Sequence, residues 1–345
     1  MKRIFLFLLL IPFLCGAQIA PAKKFRIEEK PSQKKVDVFY GDKLITSYIY
    51  YDSLLKNAYY PISTLNGTHI TREYPYVKKA GERTDHPHHV GLFFAHESVN
   101  GYDFWNMSTA IPPAKRNKYG RQVTVNVKGY PRENDCSVVN YTIWKTYSGE
   151  ELLREKSGMT FSVSSAGDLV IDRITSLRAV KDITFTDKKD ALMGLRVARE
   201  LELPVVGDDT FVLADGSTSK PMPNDVSTVT GDYRNSESII GQEVWGKKAN
   251  WVCLDGKIKG NDISVAIIDH PRNTDYPSYW HARGYGLFAV NPLGKEVFTN
   301  GKAKLNLVLK NGESVHFLYR IVIREGGKLT PAELNQHLKV ISETK

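Results

Sequence analysis

Tight-turn dipeptides constrain the fold of this chain more than any other feature of its 345 residues. Asparagine or aspartate precedes glycine at six places, and this pair suits hairpin turns that require a positive φ. The pairs are Asn66-Gly67, Asn100-Gly101, Asp215-Gly216, Asp255-Gly256, Asn300-Gly301 and Asn311-Gly312. Because helical periodicity is nearly absent between them, we expect short strands joined by hairpins.

Strand-like runs of β-branched and aromatic residues lie between these turns. They occupy 122–127, 137–146, 169–177, 263–268, 305–309 and 315–323. Strands at this spacing are typical of antiparallel sandwiches, and this chain is longer than one immunoglobulin-sized unit requires. The sequence therefore predicts an all-β fold, a large antiparallel two-sheet β-sandwich that forms a single domain over 36–345.

One helix is predicted, from Thr330 to about Ser342. Thr330 can cap it, Pro331 suits the first helical position, and Glu333 completes a capping box. The stretch 207–235 is rich in Asp, Ser, Thr, Pro and Gly, which indicates a long loop within the domain.

The N-terminus has the order of a secretory signal. Lys2 and Arg3 precede an apolar run over 4–14, and small residues follow it. The run is too short to cross a bilayer, which takes about 20 residues. We expect residues 1–17 to be a signal peptide, 18–35 to be a polar leader, and lipid attachment at Cys15 to be the less favoured alternative. The expected location is periplasmic or secreted.

Charge and cysteine content limit the partners. The net charge is +9, but basic and acidic residues alternate along most of the chain, so the sequence predicts a solvated basic surface and no nucleic-acid partner. No later segment is long and apolar enough to be a transmembrane helix. Whether Cys136 and Cys253 form a disulfide, and which oligomer forms, are left open.

A histidine-rich segment at 85–105 is the first candidate site. His86, His88, His89 and His96 lie in it. On an extended strand, His88 and His96 would be roughly 26 Å apart, too far to bind one metal. His86 and His88 can point the same way and hold a metal or a substrate oxygen, with His89 on the opposite side.

The residues on either side of His86 indicate how its backbone and its imidazole are held. Pro87 should restrict His86 to an extended backbone, and Asp85 could accept a hydrogen bond from an imidazole. Asp103 could act as an acid or base. Each histidine taken alone is equally consistent with a hydrogen-bonded core or turn residue.

A second segment, 269–292, combines histidine, arginine and aromatic residues. Two prolines make a regular strand before Trp280 unexpected. Aromatic faces beside hydrogen-bond donors suit sugar rings, although an aromatic corner of the sandwich would show the same composition. In 194–203, alternation places Arg196, Glu200 and Glu202 on one face of a strand, which either lines a cleft or faces solvent.

Several familiar motifs do not occur in the sequence. It has no glycine-rich phosphate loop, Gly-x-Ser-x-Gly elbow, paired Cys-x-x-Cys motif or His-Glu-x-x-His helix, which argues against kinases, α/β-hydrolases, zinc ribbons and common metalloproteases.

Four stretches carry a resemblance to a known family. They are REYPYV at 72–77, DHPHHVGLFFAHESVNGYDFW at 85–105, GLRVARELE at 194–202 and DHPRNTDYPSYWHARGYGLFAVNPLG at 269–294. The chain resembles the bacterial PmoA-like family, also called "methane oxygenase PmoA". The resemblance implies an exported, sugar-related role and assigns no catalytic residue.

The first hypothesis is a carbohydrate-active enzyme on a sandwich of the galactose-mutarotase type, acting by hydrolysis, elimination or epimerisation. The candidate catalytic residues are His88, His96, Asp103 and His281. The candidate substrate-binding residues are His86, His89, Glu97, Trp105, Glu200, His270, Arg272, Tyr279, Trp280 and Arg283. Glu243 is a further carboxylate without a predicted place.

Two other hypotheses stay open. One is a non-catalytic glycan-binding protein. The other is a metal-dependent oxidoreductase that uses His86, His88 and either His270 or His281; the sequence requires no cofactor but leaves a divalent metal open. We further expect 85–105 and 269–285 to form opposite walls of one pocket, because each segment alone has too few groups to hold and activate a sugar.

Overall fold

The computed structural model describes residues 24–343, and this part of the chain is dominated by antiparallel β-strands. The proposed signal peptide and Cys15 lie outside the described residues. In chain order the strands are β1 (Phe25–Lys30), β2 (Lys35–Tyr40), β3 (Lys43–Ile49), β4 (Ala58–Ile62), β5 (Leu92–His96), β6 (Gly120–Pro131), β7 (Asp135–Thr146), β8 (Glu151–Val163), β9 (Leu169–Ala179), β10 (Ile183–Phe185), β11 (Ala191–Arg196), β12 (Asp208–Asp209), β13 (Met222–Pro223), β14 (Asp232–Asn235), β15 (Trp251–Ile258), β16 (Asn261–Asp269), β17 (Tyr279–Ala282), β18 (Leu287–Asn291), β19 (Leu307–Leu309) and β20 (Ser314–Glu325). The α-helices are α1 (Lys295–Phe298) and α2 (Pro331–Ser342), and single 3₁₀ turns occur at Pro31–Gln33, Pro113–Lys118, Arg199–Leu201, Val226–Thr228 and Gly241–Val244.

Two eight-stranded sheets form the body of the fold. Sheet I has the order β1-β2-β3-β4-β5-β11-β18-β17, and sheet II has the order β14-β15-β16-β20-β9-β8-β7-β6. Two-stranded sheets, β10-β19 and β12-β13, lie outside them. The predicted all-β class, with a large two-sheet antiparallel sandwich and a C-terminal helix, is confirmed.

Alternation along β5 divides the side chains between the two faces of sheet I. The Phe94 ring contacts the rings of Trp144 and Phe317, which belong to sheet II, at centroid distances of 6.4 and 6.0 Å. Successive side chains of a strand point to opposite faces. Phe94 and His96 therefore face the core between the sheets, whereas Phe93 faces the outer side of sheet I.

The C-terminal helix forms where the sequence predicts it. The Thr330 side chain accepts from the Glu333 backbone, and the Glu333 side chain accepts from the Thr330 backbone, so the capping box is complete. Leu334 and Ile341 are its buried residues, and they pack in a second hydrophobic cluster with Trp251 and Val322.

Two local predictions are wrong. Asp255 and Gly256 form no turn, because they lie inside β15 and pair with Ser264 and Ile263. Part of the predicted leader is structured, because β1 lies within it and pairs with β2 at the edge of sheet I. Hydrogen bonding along neighbouring strands outweighs the local turn preference of Asp-Gly at the first place and the polar composition at the second.

Cys136 and Cys253 are buried, separate thiols. Within residues 24–343, no helix is long and apolar enough to cross a membrane.

Candidate functional site

The outer face of sheet I is lined by small residues at its centre. Phe93 of β5 pairs with Gly194, Gly194 pairs with Ala289, and Ala289 pairs with His281 of β17. Paired residues share a face, so these four side-chain positions form a row across four strands. A Cβ at Gly194 would lie 2.7 Å from the Phe93 ring and 3.0 Å from the Trp105 ring. Glycine therefore makes room for aromatic rings on this face.

A stack of four rings begins at Phe93 of this row, and we call it the histidine stack: Tyr285, His86, His89 and Phe93. Their successive centroids are 5.0, 4.9 and 5.6 Å apart, with interplanar angles of 5°, 2° and 12°. Tyr285 comes from the second segment and His86 from the first. The two segments therefore meet where His86 stacks on Tyr285.

Asp85 holds His86, the second ring of the stack. Its carboxylate lies 2.5 Å from Nδ1 of His86 and accepts two hydrogen bonds from Arg196 and one from Arg72. Burial alone would raise the pKa of Asp85, but the neighbouring guanidinium of Arg196, together with the His86 bond and Arg72, holds this pKa well below its usual range. The imidazole therefore faces a permanent negative charge, as the sequence predicts.

The backbone of His86 differs from the predicted extended form. Its φ is 41°, in the left-handed region that non-glycine residues seldom adopt. Arg72 donates from Nη2 to the His86 carbonyl at 2.8 Å and to the His89 carbonyl at 3.1 Å. Tertiary hydrogen bonds therefore override the local preference that Pro87 imposes, and such strain is common at functional sites.

His86 is the accessible imidazole of the segment, with 42% of its side chain exposed. His89 is buried, and its Nε2 accepts from Nε1 of Trp105 at 3.1 Å. Burial lowers the pKa of His89 well below its usual range, and lowers that of His88 to about 2 with the positive charge of Lys56 adding to the effect. His88 and His89 are therefore neutral at physiological pH.

A second carboxylate and histidine meet on the same face. Oδ1 of Asp190 lies 3.4 Å from Nε2 of His281, and Nδ1 of His281 accepts from Nε1 of Trp245 at 2.9 Å. Burial lowers the pKa of His281 to about 3. Asp190 also contacts Nζ of Lys189 at 3.0 Å. Burial raises the pKa of Tyr285, and the charge of Asp190 adds to this effect. Both nitrogens of His281 are occupied, so this residue holds Asp190 rather than acting freely.

A cleft of about 460 Å³ opens beside Tyr285. Trp245 and Arg283 line it, with the Arg283 guanidinium 5.6 Å from the Trp245 ring centroid and 5.7 Å from that of Tyr285. Glu243 and the loop residue Gly207 lie in its wall. The predicted loop 207–235 therefore borders this cleft.

Lys56 lies beneath the stack. It is 6% exposed, its Nζ donates to the Trp105 carbonyl at 2.8 Å, and the same atom lies 4.0 Å from the centroid of Phe93. Burial lowers the pKa of Lys56 to about 7, against the opposing charges of Asp103 and Asp190.

Two predicted catalytic residues have structural contacts instead. His96 faces the core, is fully buried, and accepts from the Ser98 backbone at its Nδ1. Both oxygens of Asp103 accept hydrogen bonds from the Trp105 and Asn106 segment, so Asp103 forms a turn that places Trp105. We therefore leave His96 out of the site and give Asp103 a positioning role.

The first half of the second segment lies elsewhere. His270 is buried beneath α2, with Nε2 3.0 Å from the Ile341 carbonyl and Nδ1 accepting from the Arg272 backbone. Arg272 lies in the exposed loop that follows. Because β16 ends at the far sheet, the chain must cross before β17, and this separates 269–278 from the histidine stack. The expected pocket wall is therefore wrong for these residues.

Four further candidates are also placed. Trp280 is buried toward the core and donates to the Ala249 carbonyl, and Tyr279 stacks on Phe298. Glu200 pairs with Lys79 at 3.2 Å in another cavity. Glu97 is half-buried, and burial raises its pKa with the charge of Asp190 adding to the effect. Only Glu97 of these four lies near the Asp190 carboxylate.

The residues proposed for a metal do not come together. His86 and His88 are neighbours, but His270 is beneath α2 and His281 is engaged with Asp190 and Trp245. Among residues 24–343, no group of three or more His, Cys, Asp or Glu side chains is arranged to hold a metal ion.

Sequence reasoning missed three residues of the site: Lys56, Asp190 and Trp245. None lies in a histidine-rich or aromatic motif, and each reaches the site by tertiary contact. The only sequence signal is weak, since Asp190 immediately precedes β11, the strand that contains the glycine of the row.

One protein-family model matches most of the chain. A family model described as a family of unknown function, DUF6807, matches residues 35–339. No curated protein matches the chain. These results do not bear on the resemblance to the PmoA-like family, which stays a prediction.

Two solved structures share low similarity with the chain. One is from the human microbiome and is provisionally named a kojibiose phosphorylase; it has 11% identity and a TM-score of 0.33, and the match covers 94% of this chain but 37% of that one. The other is the GalM/aldose epimerase homologue from C. elegans, with 9% identity, a TM-score of 0.28, and coverage of 89% of this chain and all of that one. Neither likeness is close enough to carry an argument about function.

Proposed function

The chain belongs to the DUF6807 family of unknown function, and we propose that it is an exported carbohydrate-active enzyme that performs acid–base chemistry on a sugar or an oxidised sugar. The observation that carries the proposal is the arrangement of His86. One ring nitrogen is bound to the Asp85 carboxylate, and the ring stacks on Tyr285, which lines an open cleft.

His86 has the properties of an acid–base group. The bond from Nδ1 to Asp85 selects the tautomer with its proton on Nδ1, so the Nε2 lone pair is the free one. Stacking between Tyr285 and His89 fixes the plane of the ring. With 42% of the side chain exposed, a substrate can reach it. Nε2 can therefore take a proton from a sugar hydroxyl or carbon and return it.

The cleft has the chemistry of a sugar site. Trp245 and Tyr285 offer ring faces for the C–H faces of a sugar, and Arg283 offers donors to its oxygens. Trp245 is 37% exposed, which is unusual for a side chain of its size. We propose that these three residues hold the sugar while His86 acts on it.

Asp190 is the proposed partner carboxylate. It is held by Lys189 and His281, and 12% of its side chain is exposed. Burial raises the pKa of Tyr285, and the charges of Asp190 and Asp85 add to this effect. Both carboxylates therefore act on Tyr285 through their charges, and we propose that the reacting carbon of the sugar is placed beside this ring.

Turnover of a panel of glycosides and oxidised sugars tests the proposal. His86→Gln should lower kcat by about 10² to 10⁴ because a general acid–base group is lost. Trp245→Ala should raise KM with a smaller effect on kcat. The matched control is His316→Gln, which removes an exposed histidine of β20 in the other sheet.

The same experiment separates the competing function. If the wild-type protein binds glycans through Trp245 but turns none over, the cleft belongs to a non-catalytic glycan-binding protein. Equal turnover by His86→Gln and wild type would reject the role of His86. Melting temperatures within a few degrees of wild type are required of each variant.

A further inference from the structure

A buried lysine without an ion-pair partner is the most unusual group that the proposed function does not use. Within residues 24–343, no carboxylate lies within ion-pair distance of Lys56, and its Nζ has one hydrogen-bond acceptor for three donors. A charged ammonium with so little compensation is costly in a protein interior. The rings of Phe93 and Trp105, whose centroids lie 4.0 and 5.5 Å from Nζ, offer cation–π contacts but no counter-charge.

His88 lies next to this amine. The charge of Lys56 contributes to the low pKa of His88, and Nε2 of His88 is buried without a hydrogen-bond partner. Lys56 and His88 both line a cavity of about 120 Å³, whose other walls include Pro75 and Met107. The cavity is large enough for a small organic molecule and mostly apolar.

The charged and titratable groups that face Lys56 from other elements are few. Burial lowers the pKa of Lys56, and the charges of Asp103 and Asp190 raise it. The imidazoles of His88 and His89 are the neighbouring basic groups. Neither imidazole can supply a counter-charge, because its protonated form is a cation. Burial without an ion pair therefore favours the neutral amine, which is the nucleophilic form.

We propose that Lys56 is a nucleophilic residue that forms an imine with a small aldehyde or ketone, including the open-chain carbonyl end of a sugar. The nitrogen lone pair attacks the carbonyl carbon, a C–N bond forms, and the π electron pair moves to oxygen. In two successive transfers, Nε2 of His88 takes a proton from the nitrogen and gives it to the oxygen: the first transfer forms the hydroxyl of a carbinolamine, and the second lets that hydroxyl leave as water. The product is a C=N bond to Lys56, and no oxidant or reductant is consumed.

The inference goes beyond the acid–base function proposed for His86 and does not depend on it. Reductive trapping tests it. The full chain is incubated at pH 7 with D-glyceraldehyde and sodium cyanoborohydride, which converts an imine into a stable secondary amine. Peptide mass spectrometry should show modification of Lys56 at least tenfold faster than that of Lys128, whose side chain is 60% exposed.

Three variants test whether the adduct depends on Lys56 and on His88. Lys56→Met should remove the fast adduct, the control Lys128→Met should keep it, and His88→Ala should slow it several-fold. If Lys56→Met does not fold, the wild-type map alone decides. Modification of Lys56 no faster than that of exposed lysines would overturn the inference, and an unchanged rate in His88→Ala would overturn the role of His88.

The reactive lysine and the acid–base function of His86 can be rejected independently of each other. A fast Lys56 adduct in both wild type and His86→Gln, without sugar turnover by wild type, would support the reactive lysine and reject the proposed function. Sugar turnover without a fast adduct would reject the reactive lysine alone.

Discussion

Asp85 shows how single residues determine this site. Two guanidinium groups and an imidazole converge on its carboxylate, and the side chains of Arg72 and Arg196 are 1% and 0% exposed. Glu202 provides a further negative charge, 3.9 Å from Arg196. Charges this deep are tolerated only when each has a partner. The cluster therefore holds the loop that carries His86.

Removal of the Asp85 charge should be strongly destabilising. Asp85→Asn leaves Arg72 and Arg196 with one fewer counter-charge, and breaking a buried pair costs about 3 to 5 kcal/mol. Urea unfolding at pH 7 measures the loss. The matched control Asp52→Asn removes a carboxylate that is 85% exposed and should leave the free energy of unfolding nearly unchanged.

The pH dependence gives the same prediction a second readout. The folded pKa of Asp85 is lowered, so its stabilising effect is fully present above the unfolded value of about 3.9 and is lost as pH falls below it. Between pH 5 and pH 3, wild type should lose stability more steeply than Asp85→Asn. Parallel profiles would contradict this account of Asp85.

Among the elements, β11 positions the site. It lies between β5 and β18 in sheet I, and Gly194 leaves space for the rings of Phe93 and Trp105. Trp105 in turn donates to His89, a member of the histidine stack. The strand thus supports the stack through one absent side chain.

A methyl group at Gly194 should disturb this contact. Gly194→Ala overpacks the outer face, and overpacking costs about 1 to 3 kcal/mol. Tryptophan fluorescence should change together with the urea midpoint as Trp105 moves. Gly158→Ala in β8 is the matched control, because a Cβ there would meet no atom within 4 Å. Equal behaviour of the two variants would show that Gly194 is not required for packing.

For the whole molecule, burial of neutral histidines makes the free energy of unfolding depend on pH below neutrality. His89, His96 and His281 are at most 2% exposed. Burial lowers the pKa of His96 and of His281 to about 3, and lowers that of His89 well below its usual range. Asp269 opposes them, since burial raises its pKa to about 6.

The protein should therefore lose stability in mild acid. Between about pH 3 and 6.5 the unfolded chain binds protons that the folded histidines do not, so stability rises with pH and each histidine contributes up to about 1.4 kcal/mol per pH unit. Urea unfolding at pH 7.5, 6.5 and 5.5 checks this. His96→Asn should flatten the profile and His316→Gln should not; equal stability at all three pH values would refute the prediction.

The sequence alone was sufficient for features that depend on neighbouring residues. The capping box of α2 needs only Thr330 and Glu333, and the bond from Asp85 to His86 joins adjacent residues. Antiparallel strands could likewise be predicted from their turns, because Asn100 and Gly101 both adopt a positive φ in the structure.

Tertiary structure decided which side chains meet. Both His96 and His281 looked suitable in sequence, but alternation along β5 turns His96 into the core, and pairing through β18 and β11 places His281 on the face of Phe93. The crossing between sheets separates His270 from Tyr285. Lys56 and Asp190 are brought in over long sequence distances. Local patterns report backbone preference, whereas convergence depends on sheet order and strand register, which arise from packing of the whole chain.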